Sequence, residues 1–127
     1  MTAAFIFNVD EVASLVRVTM GGFFSPSDIA DFRKARDEAH MRLRCGPNQH
    51  VTLIDIRSMK IQSQEAVAEF QKLFAERRQR SRRIAIVVSS SLSRTQVKRA
   101  AAGRDAGYFQ DPAEAEAWLL DRLEQAA

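Results

Sequence analysis

Ile84-Ala85-Ile86-Val87-Val88-Ser89-Ser90-Ser91 sets an unbroken apolar run, mostly β-branched, against three hydroxyls. Apolar residues without alternation mark a strand covered on both faces, the pattern of a central strand in a parallel sheet. Parallel neighbours need crossovers, so helices are expected before and after this strand.

Upstream, Ser63 can cap a helix whose stripe is Ala66, Val67, Phe70, Leu73 and Phe74. Before it, Val51 to Ile56 reads as another compact strand, with Arg57 to Gln62 as the loop between. Ser25-Pro26-Ser27-Asp28 has the cap, the first-turn proline and the acid of a helix start. Ile29, Phe32, Ala35, Ala39 and Leu43 follow at helical spacing, and Cys45-Gly46-Pro47-Asn48 ends that helix. The chain opens with a strand over Ala3–Val9 (Phe5, Phe7 and Val9 on one face) and a second over Val12–Met20, stopped by Gly21-Gly22. Together they form a hairpin.

Downstream, Leu92–Ala102 reads as a short helix with Val97 and the alanines inward, and Tyr108-Phe109 as a brief strand. Asp111-Pro112-Ala113-Glu114 is a capping box opening a last helix that buries Ala115, Trp118, Leu119 and Leu123. The order β-β-α-β-α-β-α-β-α predicts one α/β domain over residues 1–127. Its sheet is expected to be mostly parallel, with helices packed on it and an antiparallel N-terminal edge strand.

The length of 127 residues suits one domain that needs no covalent staple. One cysteine, Cys45, excludes an intramolecular disulfide and a multi-cysteine metal site; two histidines, His40 and His50, argue against a histidine-rich one. No metal or cofactor is expected. The first ten residues lack a basic leader and no run is long enough to span a membrane, so a cytoplasmic protein is expected.

Charge is uneven. Lys72–Arg104 holds ten basic residues and one acid, centred on Arg77, Arg78, Arg80, Arg82 and Arg83. Such a patch can bind anions or nucleic acid. The commoner reading is a solvated helix end, since cations favour the carbonyl end of the dipole and no phenylalanine interleaves with the run.

The element order, the Leu53-Ile54-Asp55-Ile56 strand, the loop before a Ser-capped helix and the ending Tyr108-Phe109-Gln110-Asp111-Pro112-Ala113-Glu114-Ala115-Glu116-Ala117-Trp118-Leu119 resemble STAS-like domains. This superfamily is named after sulfate transporters and anti-sigma-factor antagonists. The likeness is greatest to the small stand-alone bacterial SpoIIAA-like proteins. It implies a non-enzymatic regulatory module that binds a protein partner, kinase-like or sigma-related. In anti-sigma-factor antagonists a serine at the start of the helix after the middle strand is phosphorylated, within an Asp-Ser-Ser-Gly-like motif. Here Ser63 is the hydroxyl near that place. The acid is missing, and Gln64 and Glu65 stand where the second Ser and the Gly belong.

Ligands of parallel sheets bind beyond the carboxyl ends of the strands. Gly21–Ser25, Arg57–Lys60 and Ser89–Ser91 should meet there. Arg57, Ser58, Lys60, Ser63, Ser89 and Ser90 are the candidate phosphate or partner contacts, with helix capping as the commoner role of the serines. Asp55 reads as a carboxylate bonding nearby amides. Phe23 and Phe24 read as core, with an exposed apolar contact as the other choice. No nucleophile–base–orienter set is visible. Two further classes stay open: a small-ligand protein holding a lipid or nucleotide between sheet and helices, and an anion or nucleic-acid binder through 77–104. A homodimer through the edge strand or an apolar helix face is also possible on the sequence.

Overall fold

The computed structural model describes the backbone of residues 2–126 and the side chains of residues 2–120. The apolar run becomes β4 (Arg83–Val87), flanked in parallel by β3 (Val51–Met59) and by the short β5 (Ala106–Phe109). β2 (Leu15–Gly22) lies parallel to β3, and β1 (Ala4–Asp10) closes the sheet as the antiparallel edge. The strand order is β1-β2-β3-β4-β5. The crossovers are α1 (Pro26–His40), α2 (Gln64–Ala75) and α3 (Ser91–Ala100); α4 (Pro112–Ala126) ends the chain. The expected architecture is therefore the observed one.

Two cores follow from strand alternation. On one face Val16, Val18, Ile54, Ile56, Ile84 and Ile86 pack beneath α1, α2 and α3. On the other, Leu53, Ala85 and Val87 pack against Ala115 and Leu119 of α4, with Trp118 partly buried beside them. Leu123 lies outside the described side chains. Five of the eight phenylalanines (Phe5, Phe7, Phe24, Phe32 and Phe70) form a linked cluster on the three-helix side, with ring centroids 5.1–6.4 Å apart. Such ring pairs add to the burial energy.

Three elements differ most from expectation in their bounds, each for a local reason. β2 starts at Leu15 rather than Val12, because Asp10 accepts the Ala13 amide at 3.0 Å and Ser14 takes a positive φ. Val12 is left in that turn, 99% exposed. Gly21 and Gly22 do not stop β2; they pair with Ser58 and Met59 and so carry β3 three residues beyond Ile56. Gly22 has φ +82°, and a Cβ there would stand 2.2 Å from the Thr2 carbonyl oxygen, so only glycine fits. α1 ends at His40 because Arg42 and Leu43 turn back onto the carbonyls of Ala39 and His40. Its buried stripe is Ile29, Phe32, Arg36 and Ala39, with an arginine in the phase where Ala35 was expected.

Candidate functional site

The carboxyl end of the sheet gathers the ends of β2 and β3 and the starts of α2 and α3. Backbone and amide side chains tie these together. Lys60 donates its amide to the Gly22 carbonyl at 3.0 Å. Gln62, 8% exposed, accepts the Phe24 amide at 2.9 Å and donates to the Gly22 carbonyl at 3.0 Å. Gln62 and Gln96 then clamp the loop onto α3, each bond 2.8 Å long.

The serines act as caps. The Ser63 hydroxyl accepts the Ala66 amide at 3.0 Å, and the Ser90 hydroxyl accepts the Ser93 amide at 3.1 Å. Ser25 and Asp28 complete a reciprocal capping box at α1. Ser58 pairs with Gly21 in the ladder, and Ser58, Ser89 and Lys60 are exposed.

Arg57 is not brought together with Lys60 and Ser63. It shares strand parity with Asp55, and its guanidinium chelates that carboxylate at 2.7 and 3.0 Å. Its backbone amide donates to the same carboxylate at 3.1 Å, so Asp55 does bond a nearby amide. Burial raises the Asp55 carboxyl, but the Arg57 guanidinium and amide outweigh it and leave the carboxyl below its ordinary value. Leu53, of the same strand parity as Asp55 and Arg57, packs in the core against α4, so this pair lies on the α4 side of the sheet.

Three large apolar side chains stand in solvent at this end: Phe23 (44% exposed), Ile61 (45%) and Leu92 (68%). Ile61 precedes Gln62, and Leu92 lies one helical turn before Gln96, so each is anchored next to one side of the clamp. Phe24, by contrast, is fully buried; the two aromatic neighbours take opposite roles. Alternation along an extended segment could have separated them in the sequence. Nothing local flagged Ile61 or Leu92, because each sits alone among polar residues.

The basic residues lie at the opposite, amino end of the sheet. Arg77 and Arg78 occupy a 3-10 turn (Arg77–Gln79), and Asn48 holds that turn through the carbonyls of Arg77 and Arg80 at 2.9 and 2.8 Å. Arg77, Arg78, Arg80 and Arg82 are exposed. Arg83 is engaged: it pairs with Asp105 at 2.9 Å and stacks 5.0 Å over the Trp118 ring. The caps and the arginines thus form two separate regions.

Beneath the arginines is a buried polar network that periodicity did not reveal. His50 (3% exposed) bonds Ser81 (8%) at 3.1 Å, Ser81 bonds Thr52 (7%), and the His40 and His50 rings lie 4.5 Å apart. Arg104 donates to the Ser81 carbonyl. Burial first, then the nearby His40 and the Arg104 charge, push His50 down to about 4, so it is neutral at pH 7. Burial also lowers His40. Arg36 bonds Glu76 and Asp37, both at 2.9 Å, and the Leu73 carbonyl at 3.3 Å. A cavity of about 110 Å3 runs from this network, between the sheet and α1–α3, to Lys60, Gln62 and Gln96. Among the described residues no cluster of three or more His, Cys, Asp or Glu is placed to hold a metal ion, and no helix is long and apolar enough to cross a membrane.

No family model matches the chain, and no curated protein matches it by sequence. Solved structures do match by shape. An uncharacterised protein of the DUF3478 family with a SpoIIAA-like fold, from Shewanella loihica PV-4, superposes with a TM-score of 0.72 at 19% identity, over 94% of this chain and 96% of that one. An anti-sigma factor antagonist from Mycobacterium paratuberculosis superposes with a TM-score of 0.64 at 7% identity, over 92% of this chain and 93% of that one. The fold is therefore SpoIIAA-like, as the sequence resemblance implied.

Proposed function

We propose that this protein is a non-enzymatic regulatory module that docks a protein partner on the carboxyl end of its sheet. The observation that carries the reading is the trio Phe23, Ile61 and Leu92, exposed around a rigid Gln62–Gln96 clamp. Exposed apolar groups held by a fixed frame lose little entropy on docking, and few such anchors supply most of an interface's energy. Lys60 beside them favours a partner with an acidic rim. An anti-sigma factor antagonist of the same fold supports a regulatory role.

Ser63 is the proposed switch, with Ser58, Ser89 and Ser90 as the other hydroxyls on this surface. Ser63 is exposed at the start of α2 and already directs its oxygen at a helix amide. A phosphate there would keep acceptors at the helix N-terminus and add charge beside Lys60, changing the surface without opposing the fold.

The test is affinity capture from the native host after nuclease treatment, followed by direct binding to the captured partner. Ile61→Asp combined with Leu92→Asp is expected to weaken that partner by roughly tenfold or more. Ile6→Asp, on the exposed face of β1, should leave it unchanged. Equal binding by all three proteins, or loss of the partner with nuclease, sinks the reading.

A further inference from the structure

The cavity has a charge problem. Its long walls are apolar, among them Val16, Val18, Ile54, Phe70 and Val97. Its polar lining includes Arg36, Lys60, Arg80 and Arg104 and no carboxylate. Arg36 is answered by Glu76 and Asp37, while Lys60 and Arg80 reach water. Arg104 is different. One guanidinium nitrogen donates to the Ser81 carbonyl, and Nε is buried with no hydrogen-bond partner among the described residues. The adjacent Asp105 turns its carboxylate to Arg83 instead, at 2.9 and 3.0 Å. A buried guanidinium N–H without an acceptor is rare in a finished protein core and calls for an acceptor from elsewhere.

We propose that the cavity is a binding site for a small monocarboxylate, with its carboxylate on Arg104 and its apolar tail between the sheet and α2. The charge follows from a lining that holds cations and no acid. The tail follows from the walls, since ligand pockets are mostly apolar with few orienting polar groups. The size follows from the volume: an apolar cavity of about 150 Å3 takes benzene, so about 110 Å3 takes a tail of about four to five carbons, with the carboxylate at its polar end. Hexanoate is the matching probe. The carboxylate would also lie beside the Thr52–Ser81–His50 network, where Thr52 can donate its hydroxyl when Ser81 donates to Thr52 and His50 donates to Ser81.

The experiment titrates the purified full chain with hexanoate, 1-hexanol and hexylamine by calorimetry. Hexanoate is expected to bind roughly tenfold or more tightly than hexanol, because charge-assisted bonds to arginine are the stronger ones. Arg104→Gln should erase that advantage and leave hexanol binding unchanged. Ala100→Leu, which fills the cavity, should weaken both. Should Arg104→Gln fail to fold, the wild-type ratio decides, together with NOEs from the hexanoate C2 protons to Thr52 and His40. Equal binding of hexanoate and hexanol, no saturable binding of either, or NOEs placing the carboxyl end at Lys60 overturns the assignment. No partner protein enters this experiment, so its result is independent of the docking surface.

Discussion

At the carboxyl end of the sheet, Ser63 and Ser90 give their hydroxyls to helix amides while Phe23, Ile61 and Leu92 stand in solvent. At the amino end, His50, Ser81, Thr52 and Arg36 are buried and bonded to one another or to neighbours, while the basic run above them is exposed. Residue type alone suggests the reverse, with polar groups forming the working surface and apolar groups the core. The difference lies in what each polar group has to satisfy. A capping serine answers one amide that would otherwise face water. A buried histidine or arginine must answer every donor and acceptor it carries, away from water. Changes to the bonded groups of the amino end should therefore cost stability, and changes at the carboxyl end should cost partner binding.

Arg36 should give the largest effect. It is 9% exposed in the middle of α1, and it ties that helix to Glu76 and to the carbonyl end of α2. Arg36→Ala removes a buried side chain, its bond to the Leu73 carbonyl and its part-buried pairs with Glu76 and Asp37, while Glu76 keeps Arg33. A loss of about 3 kcal/mol in chemical denaturation is expected, at the upper end of ordinary single substitutions. Arg57→Ala at the other end breaks a pair with an arginine side chain that is 45% exposed, and should cost no more than about 1 kcal/mol. Equal losses would mean that the two ends do not differ in burial as described.

His50 gives the next largest effect, and it has a sign. Its folded value of about 4 lies below its ordinary value of 6.5, so the folded state disfavours the proton. In the window between those values the unfolded chain binds more protons. Stability is full above about pH 6.5, falls as the pH drops through the window and levels off near pH 4. The whole window is worth roughly 3 kcal/mol at about 1.4 kcal/mol per unit. His40 shifts in the same direction and adds to the slope. His50→Gln should remove most of the dependence between pH 7 and pH 4.5, whatever it does to stability at pH 7. An unchanged slope in that variant would place the titrating group elsewhere.

The sheet was legible because its signals are periodic. The Ile84–Val88 run marked a central strand, the Ala66–Phe74 stripe a helix, and Phe5, Phe7 and Val9 one face of an edge strand. The exact reach of β2 and β3 was not, because the glycine pair that reads as a stop continues the ladder, with Gly22 passing close to the Thr2 carbonyl where no side chain fits. The capping serines were legible for the same reason as the helices: a cap belongs to the element it starts. The amino-end network was hidden because its members come from five places in the chain, His40, His50, Thr52, Ser81 and Arg104. Each is unremarkable locally, and only the packing of β3 and β4 against α1 and α3 joins them. Arg36 did leave a trace, since it falls four residues after Phe32 and seven after Ile29, in the buried phase of α1.

The smallest effect tests whether Ser63 is more than a cap. Ser63→Ala removes the acceptor of the Ala66 amide and should cost about 1 kcal/mol. Ser63→Asp restores an acceptor and adds a negative charge at the positive end of α2, so stability should return to within about 0.5 kcal/mol of wild type. Ser58→Ala, at an exposed position of β3, should change stability by less than about 0.5 kcal/mol. Stability separates the cap from the bare surface hydroxyl, and partner binding separates the cap from the switch. A pure cap gives Ala and Asp variants that bind the partner alike once both are folded. A switch gives an Asp variant as stable as wild type with altered binding, because the new charge sits among Lys60, Ile61 and the start of α2 rather than in the core. That combination places the switch at the carboxyl end, beside the exposed Ile61, and apart from the buried histidines and arginines of the amino end.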